Sequence, residues 1–521
     1  MKKKTQGLIV AAFFAIILIT STLSIALNNN TKRQSVDQEA TVTGTPADHF
    51  PDLDRPKFCG SGDAKSTPYV TEYKIPTVCT QPLAITTDPQ GTVWFAQTNT
   101  GKIAKFDPAT SHFTEYDNPD WPTDGRSMMW GMDYSDDGSV WYSDDSFNSI
   151  WKFSTSDGKY ARNSYPTKEN ALPQQIKLRG TQLIVNDFYE GKMSFFDTTQ
   201  TSADKTYINI PSPLPGSFVG GFDMDANGNL WYTNWILRQG GAPVKFDYSG
   251  FTKYAQTNTG QNVSTSEFSK AFNLPASIVA PNGLSVDQGG NVWIADTGSS
   301  SFYKFTESDE HFTRYVTPDA PRATYGNATG VIKIPVSQPY WTQINNGKLV
   351  FNEQASNSLA VFDIDGESLV EYLVPSKNPG WGDCGSESDC GLAQVFGFKA
   401  TDNKIWFTEW VENNIGEVDL AKPLPLTVSV SEKQITIPKG QSAQVDLTID
   451  GNTDAEILSK ATSSFSDITV QIPTKHVSGT QSIPVSIITS ESALPGTYKV
   501  VLGARTGDVT VSQFVTVTIT Q

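Results

Sequence analysis

An all-β fold is predicted for this chain of 521 residues, and three observations predict it. Turn-forming residues are abundant, with 40 Gly and 30 Pro. Aromatic residues are frequent, with 12 Trp, 18 Tyr and 28 Phe, while charged residues make up only 18%. Short apolar runs of period-two alternation, separated by Asp-Gly and Asn-Gly turns, recur over most of the length. The composition is too aromatic for a disordered chain and too rich in turn formers for a helical one.

The amino terminus is predicted to be a transmembrane or signal helix. Lysines at positions 2–4 precede an uncharged, mostly apolar run over residues 7–27. That run is long enough to span a bilayer, and the lysines orient it with the following chain outside the cytoplasm. We therefore predict a membrane anchor at 1–27 with an extracytoplasmic body, or a secreted protein if cleavage follows Ala26. Residues 28–66 are polar and aperiodic, which predicts a linker.

Two disulfides are predicted, because an even number of cysteines in an exported chain favours disulfides over reactive thiols. Cys384 and Cys390 flank the short segment GSESD, which leaves Cys59 with Cys79. Four cysteines permit three pairings, so the other two stay open.

The charge balance argues against one class of partner. Asp plus Glu number 55 and Lys plus Arg 39, giving a net charge of −16. A chain this acidic repels phosphate backbones, so we expect no nucleic-acid partner.

One four-stranded unit repeats along the chain. It comprises an apolar strand, an Asp/Asn-Gly turn, a strand around Trp-aromatic, a strand ending in Phe-Asp, and a strand such as FTEY. Its central position recurs at intervals of 42 to 62 residues, at Trp94, Trp141, Leu183, Trp231, Trp293, Val350 and Trp406. This period predicts a monomeric seven-bladed β-propeller over residues 67–421.

The strand that closes the propeller is predicted at the far end of the repeat region. The seventh copy reaches Leu420 without an FTEY-like strand, while YVTEYKIP at residues 69–76 precedes the first full copy. Because an open sheet edge invites aggregation, we predict that 69–76 completes the seventh blade. The alternative is an unrelated strand leading into the propeller.

Residues 424–521 have a different character. Aromatic residues nearly vanish, and Thr, Val, Ser and Ile alternate in roughly seven short runs. This pattern predicts an immunoglobulin-like β-sandwich, acting as a spacer or docking module.

A ring of polar residues is the first candidate site. Three positions beyond each central position lie Gln97, Asp144, Asn186, Asn234, Asp296, Glu353 and Glu409. Carboxylates gathered on one face could hold Mg²⁺ or Ca²⁺, with Asp296, Glu353 and Glu409 as the candidate ligands, or one could act as a general base. The alternative is that these are ordinary polar strand ends, solvated or hydrogen-bonded.

Long connections on the same face are the second candidate feature. Residues 256–281, 316–339 and 375–392 connect strands there, and loops of this length usually serve recognition. They predict a surface that binds a small molecule, a glycan or a surface protein; insertions without function are the alternative. None of the four histidines falls on this face; they are His49, His112, His311 and His476.

The repeat resembles that of the streptogramin B lyases (virginiamycin B lyases) over residues 69–420. The copies that carry the resemblance are PLAITTDPQGTVWFAQTNTGKIAKF, PNGLSVDQGGNVWIADTGSSSFYKF and KIWFTEWVENNIGEV. Propellers of the NHL and gluconolactonase type share much of this pattern. The resemblance implies a propeller that opens a cyclic ester by elimination, with Mg²⁺, a histidine base and glutamates on one face.

This chain matches that expectation only in part. Glu409 and Glu353 match the family's glutamates and are the candidate catalytic residues. The family's histidine belongs at the start of first strands. This chain has no histidine at the seven start positions, which are Leu83, Trp130, Gln174, Gly220, Asn282, Tyr340 and Phe396.

Three functions follow from these features. The first is an anchored, lyase-like propeller whose long-loop face binds a ligand, with Asn282 and Tyr340 joining the ring residues Gln97, Asp144, Asn186, Asn234 and Asp296. The second is a metal-dependent lyase or lactonase acting on cyclic esters. The third is a structural cell-surface protein.

Overall fold

The computed structural model describes most of the chain beyond the amino-terminal segment. The described residues are 59–521 except 61, 122–126, 166–170, 200–207, 237–238, 258–266, 322–335, 382–383, 385–389 and 463–466. The predicted anchor and residues 28–58 of the predicted linker lie outside them. Among the described residues, no helix has the length and apolar character needed to cross a membrane.

Four-stranded antiparallel sheets account for the part of the described chain up to residue 421. The first strand is β1 (Val70–Lys74). Six units, called sheets 1 to 6, follow in chain order: β2 (Pro82–Thr87), β3 (Val93–Gln97), β4 (Lys102–Asp107) and β5 (His112–Tyr116); β6 (Met132–Ser135), β7 (Ser139–Asp144), β8 (Ser149–Ser154) and β9 (Tyr160–Ser164); β10 (Pro173–Arg179), β11 (Gln182–Asp187), β12 (Lys192–Asp197) and β13 (Ile208–Pro211); β14 (Phe218–Met224), β15 (Leu230–Ile236), β16 (Gly240–Phe246) and β17 (Ser269–Ala271); β18 (Pro281–Val286), β19 (Val292–Asp296), β20 (Ser301–Thr306) and β21 (His311–Val316); β22 (Pro339–Asn345), β23 (Lys348–Glu353), β24 (Ser358–Asp363) and β25 (Ser368–Leu373). A helix, α1 (Tyr248–Thr257), lies between β16 and β17.

The next unit, sheet 7, combines strands from both ends of the repeat region. Its strands β26 (Val395–Thr401), β27 (Lys404–Glu409) and β28 (Asn414–Asp419) are consecutive, and its outer strand is β1. In the antiparallel pairing of β1 with β28, Val70 lies opposite Val418 and Lys74 opposite Asn414. Neighbouring sheets meet along their first strands: β2 contacts both β6 and β26, and β18 contacts both β14 and β22. Such a succession of antiparallel sheets around an axis is a β-propeller.

The turn between first and second strands is stabilised by one aspartate. Asp287 Oδ1 accepts the backbone N–H of Asn291 at 2.9 Å, and its Oδ2 accepts the indole N–H of Trp293 at 2.8 Å. Gly290 takes a φ of +79°, which a side chain would disfavour. The same indole contact joins Asp225 to Trp231 at 3.1 Å. The Asp-Gly-Trp spacing of the repeat is therefore a folding signal in its own right.

The residue after the start position lies where adjacent sheets approach most closely. A Cβ on Gly283 would lie 2.1 Å from the carbonyl oxygen of Tyr340 in sheet 6, and one on Gly397 would lie 2.0 Å from that of Leu83 in sheet 1. These contacts explain the glycine at this position in the fifth and seventh copies of the repeat.

The carboxy-terminal region forms two further layers. One is a four-stranded sheet, in the order β29 (Leu426–Val430), β31 (Ser442–Gly451), β35 (Gln481–Thr489) and β33 (Ile468–Gln471). The other contains β30 (Gln434–Pro438), β32 (Asp454–Ala461), β34 (His476–Ser478), β36 (Gly496–Arg505) and β37 (Val509–Thr520). The side chains of Val445, Val485 and Val517 are fully buried in the core of this region.

This second layer is continuous with the propeller. Strand β37 pairs antiparallel with β25, so sheet 6 extends into a nine-stranded sheet. Lys499 Nζ lies 2.6 Å from both carboxylate oxygens of Glu367, which also accepts the hydroxyl of Tyr315 at 2.7 Å. Phe514 is fully buried and its ring centroid lies 5.2 Å from that of Tyr315. The region is thus bound to the propeller by backbone pairing, an ion pair and apolar packing, unlike a flexible spacer.

Both predicted disulfides are confirmed. Cys59 pairs with Cys79, and Cys384 pairs with Cys390. Disulfides persist in oxidising compartments, so they indicate an extracellular setting for the folded body.

Candidate functional site

The predicted polar ring is buried. Each of its seven side chains has a relative exposure of 0%, and the seven are Gln97, Asp144, Asn186, Asn234, Asp296, Glu353 and Glu409. They lie at or near the ends of the second strands of the seven sheets. Their contacts therefore decide whether they can act on a ligand.

The strand register corrects one member of the ring. Pro82 lies opposite Gln97 and Pro281 lies opposite Asp296, but in sheet 3 it is Asp187 that lies opposite Pro173. This copy of the repeat has no Trp to fix the alignment, so the sequence comparison placed it one residue early. Asp187 is fully buried, accepts the backbone N–H of Leu172 at 3.0 Å, and has its pKa raised by burial.

Asn186 serves instead to join two sheets. Its Oδ1 accepts the backbone N–H of Gln175 at 2.6 Å. Its amide donates to the carbonyls of Val219 at 3.1 Å and Gly220 at 3.0 Å in the next sheet. All three contacts are structural.

The aspartates of the ring are held by nearby donors. Asp296 accepts the backbone N–H of Ala280 at 2.7 Å and the hydroxyl of Ser299 at 2.8 Å, and burial raises its pKa. Asp144 accepts the indole N–H of Trp151 at 3.0 Å and a short bond from Ser127. Burial raises the pKa of Asp144 to about 6.

Asn234 is similarly engaged. Its amide donates to the hydroxyl of Ser217 at 2.7 Å and to the carbonyl of Phe218 at 2.8 Å. Ser212 donates to its Oδ1.

The remaining ring members face an acidic residue of the outer strand of their own sheet. In sheet 1, Gln97 Nε2 donates to Glu115 Oε1 at 2.6 Å. In sheet 7, Glu409 faces Glu72 of β1, and burial followed by the charge of Glu72 raises the pKa of Glu409 well above its usual range. In sheet 6 the outer residue is Glu371.

Glu353 and Glu371 of sheet 6 form a second pair of buried carboxyl groups. Burial followed by the charge of Glu353 raises the pKa of Glu371 well above its usual range, and Ser358 donates to Glu353 at 2.8 Å. Glu353, Glu371 and Glu409 are each at most 2% exposed. Two buried carboxyl groups in contact cannot both ionise cheaply, so each pair retains a proton. The outer glutamates come from the repeated segments FTEY, VEY and TEY, a signal that sequence reasoning had seen but not used.

These contacts do not produce a metal centre. Within the described residues, no group of three or more His, Cys, Asp or Glu side chains is arranged to hold a metal ion. The donors to Asp296 are in sheet 5 or the loop before it, those to Glu353 are in sheet 6, and those to Glu409 are in sheet 7. The residues present therefore do not fit the Mg²⁺ or Ca²⁺ site that the ring was expected to form.

Aromatic side chains occupy the centre of the face on which the first strands begin, which we call the loop face. Phe396 is fully buried, with ring centroids 5.8 Å from Trp130 and 5.9 Å from Trp410. Trp381, from the third long loop, packs edge-on to Trp410 at 5.4 Å. The indole N–H groups of Trp130 and Trp410 are buried and have no hydrogen-bond partner among the described residues.

The two predicted ligand residues at start positions lie at this face. Tyr340 is 4% exposed and packs on Trp341 with centroids 4.5 Å apart. Burial raises the pKa of Tyr340, against an opposing hydrogen bond with Gln174. Asn282 is half-buried. Residues 258–266, 322–335, 382–383 and 385–389 of the three long loops lie outside the described residues.

The chain is similar in fold to solved lyase structures. Virginiamycin B lyase from Staphylococcus aureus is 18% identical with a TM-score of 0.50, over 69% of this chain and 100% of that one. A catalytically inactive variant of that enzyme, solved with quinupristin, is 17% identical with a TM-score of 0.50, over 69% and 100%. A streptogramin B lyase structure is 19% identical with a TM-score of 0.49, over 67% and 97%.

The structural similarity establishes the shared β-propeller fold. Sequence identities this low leave the activity open. No protein-family model matches the chain, and no curated protein does.

Proposed function

We propose that this chain is an extracytoplasmic, membrane-anchored, lyase-like β-propeller whose loop face binds a ligand. In this proposal residues 67–421 form seven blades, with the strand at 69–76 completing the last, and 424–521 form an immunoglobulin-like sandwich. The pairing of β1 with β28 supports the closure, and the two stacked layers beyond residue 424 support the sandwich. The apolar run at 7–27 supports the anchor, followed by the linker at 28–66.

The aromatic centre of the loop face carries the binding proposal. Rings of Trp130, Phe396 and Trp410 lie in contact there, and the indole donors of the two tryptophans have no partner within the part of the chain that the structure describes. Buried indole N–H groups normally find an acceptor, so this site suits a ligand that offers one. Half-buried Asn282 adds an amide at the same face. A ligand that reaches these donors must offer acceptor groups, whether it is a small molecule, a glycan or a surface protein.

Quinupristin and a glycan array are the probes for this proposal. We expect quinupristin to quench tryptophan fluorescence of the full chain saturably, or the labelled full chain to bind a glycan of the array saturably. We expect Asn282→Ala to weaken that binding roughly 5- to 10-fold, as loss of a single hydrogen bond does. We expect Tyr340→Ala, which removes a ring packed on Trp341, to weaken it as well. Asn452→Ala, an exposed residue of the carboxy-terminal region, is the matched control. If both loop-face variants bind the probe with the affinity of the parent, the proposal is overturned.

The enzyme hypothesis is tested in the same samples. A metal-dependent lyase or lactonase would linearise quinupristin, as detected by mass spectrometry, and lose that turnover in EDTA. The buried, separately engaged carboxylates count against this outcome. Binding without product formation would favour the first function.

A further inference from the structure

The first strands of the propeller surround a cavity on its axis. Its volume is about 400 Å³, which lies within the range of small-molecule sites. The inner part is apolar and buried, and it is formed by Ile85, Trp130, Met132 and Ile176. The outer part lies toward the end of the axis opposite the loop face. It carries four half-buried charged residues, namely Asp133, Lys177, Asp223 and Lys399.

Both aspartates of this cavity are already engaged. Asp133 Oδ2 accepts the backbone N–H of Leu178 at 2.8 Å. Asp223 accepts the ammonium of Lys177 at 2.7 Å and the backbone N–H of Val286 at 3.0 Å. These bonds join neighbouring sheets, so both carboxylates have a structural role and Lys177 is neutralised.

Lys399 is different. In the part of the chain that the structure describes, its ammonium makes no hydrogen bond and no ion pair. Gln343 of the neighbouring first strand is no partner, because its amide is bound to the backbone of Ala400 at 2.8 and 2.9 Å. A half-desolvated ammonium with no direct hydrogen-bond or ion-pair partner attracts an anion more strongly than one in bulk water.

We propose that this axial cavity binds an organic carboxylate. Its carboxylate group pairs with Lys399, and its apolar body lies against Trp130 and Ile85. The cavity shares Trp130 with the loop face, but Lys399, the charge that it offers, lies further along β26. The proposal therefore requires neither the ligand nor the activity proposed for the loop face. A cavity that combines buried apolar side chains with a few charged groups has the composition of a small-molecule site.

Benzoate is the probe, and benzamide is its uncharged isostere. We expect benzoate to bind the full chain saturably, in calorimetry and in the fluorescence of Trp130 and Trp341, which line the cavity. Benzamide should bind at least roughly 10-fold more weakly, because it lacks the charge-assisted bond. Lys399→Gln should weaken benzoate binding roughly 10- to 100-fold, and Lys399→Arg should largely restore it.

Lys304→Gln provides a matched control, since Lys304 is also half-buried but lies on the third strand of sheet 5. It should leave benzoate binding unchanged. The proposal is overturned by absence of benzoate binding at millimolar concentration, by equal binding of benzamide, or by a Lys399→Gln variant that binds like the parent. The benzamide comparison uses the unmodified chain, so it decides the matter even where a variant fails to fold.

Discussion

Replacing Glu409 with glutamine should remove a pH-dependent loss of stability. Glu409 is fully buried against Glu72, and its pKa is raised by burial and by that neighbouring charge. In sheet 1 the corresponding contact is a neutral amide, Gln97, donating to Glu115 at 2.6 Å. Glu409→Gln therefore converts an acid–acid pair into an amide–carboxylate pair that the fold already accommodates.

The magnitude follows from proton linkage. In the unfolded chain a glutamic acid ionises near pH 4.3, whereas folded Glu409 keeps its proton to a higher pH. Between these two values the native state holds one more proton. The free energy of unfolding therefore falls by about 1.4 kcal/mol for each pH unit of rise. The stabilisation is complete below the unfolded pKa and is lost as pH rises through the folded one. The amide removes this slope and keeps a hydrogen-bonding group facing Glu72.

Chemical denaturation of the full chain at pH 5, 6, 7 and 8 measures the effect. We expect Glu409→Gln to gain stability relative to the parent as pH rises from 5, by about 1.4 kcal/mol per pH unit until the folded pKa of Glu409 is passed. The reciprocal variant Gln97→Glu should introduce the same slope in sheet 1. Parallel pH profiles for the parent and Glu409→Gln would refute the reasoning, as would a Gln97→Glu variant with no added slope.

Two further predictions concern the packing of the propeller. Phe514→Ala, which empties a fully buried site against Tyr315 and Phe362, should lower the free energy of unfolding by about 3–5 kcal/mol. Calorimetry should show the propeller and carboxy-terminal strands unfolding in one shifted transition; a separate, unshifted propeller transition would contradict the continuous sheet. Asp287→Ala, which removes the turn acceptor of Asn291 and Trp293, should cost about 1–3 kcal/mol in denaturant unfolding. The exposed Asp136→Ala should stay within about 0.5 kcal/mol, and equal effects of the two changes would count against the role of the turn.

The repeat was readable from the sequence because its signals are local. The Asp-x-x-Gly turn, the Trp it binds and the alternation of each strand lie within a dozen residues, and each has a direct physical role in the structure. Where one of these signals was absent, the predicted ring position was wrong by one residue. Without a Trp in the third copy, Asn186 was chosen although the register puts Asp187 at that place. A one-residue shift reverses which face of a strand a side chain occupies.

The candidate site was less accessible to sequence reasoning. Asp296, Glu353 and Glu409 are acidic residues at strand ends, a pattern that fits a metal site and a set of buried hydrogen bonds equally well. The structure favours the second, because each carboxyl is taken up by donors or by an outer-strand glutamate. Lys399 was overlooked for a related reason. Its distinction is the lack of a partner, and that becomes visible only when the seven first strands surround one cavity.

The sequence by itself determined the all-β class, the repeated four-stranded unit and the preferred disulfide pairing, since these depend on residues close in the chain or on composition. Tertiary structure alone decided which polar residues lose contact with water and which distant strands pair. Glu72 meets Glu409 only because β1 pairs with β28, and Glu367 meets Lys499 only because β37 pairs with β25. Pairing between strands far apart in the chain follows from the shape and edges of the assembled sheets, and no local pattern specifies it.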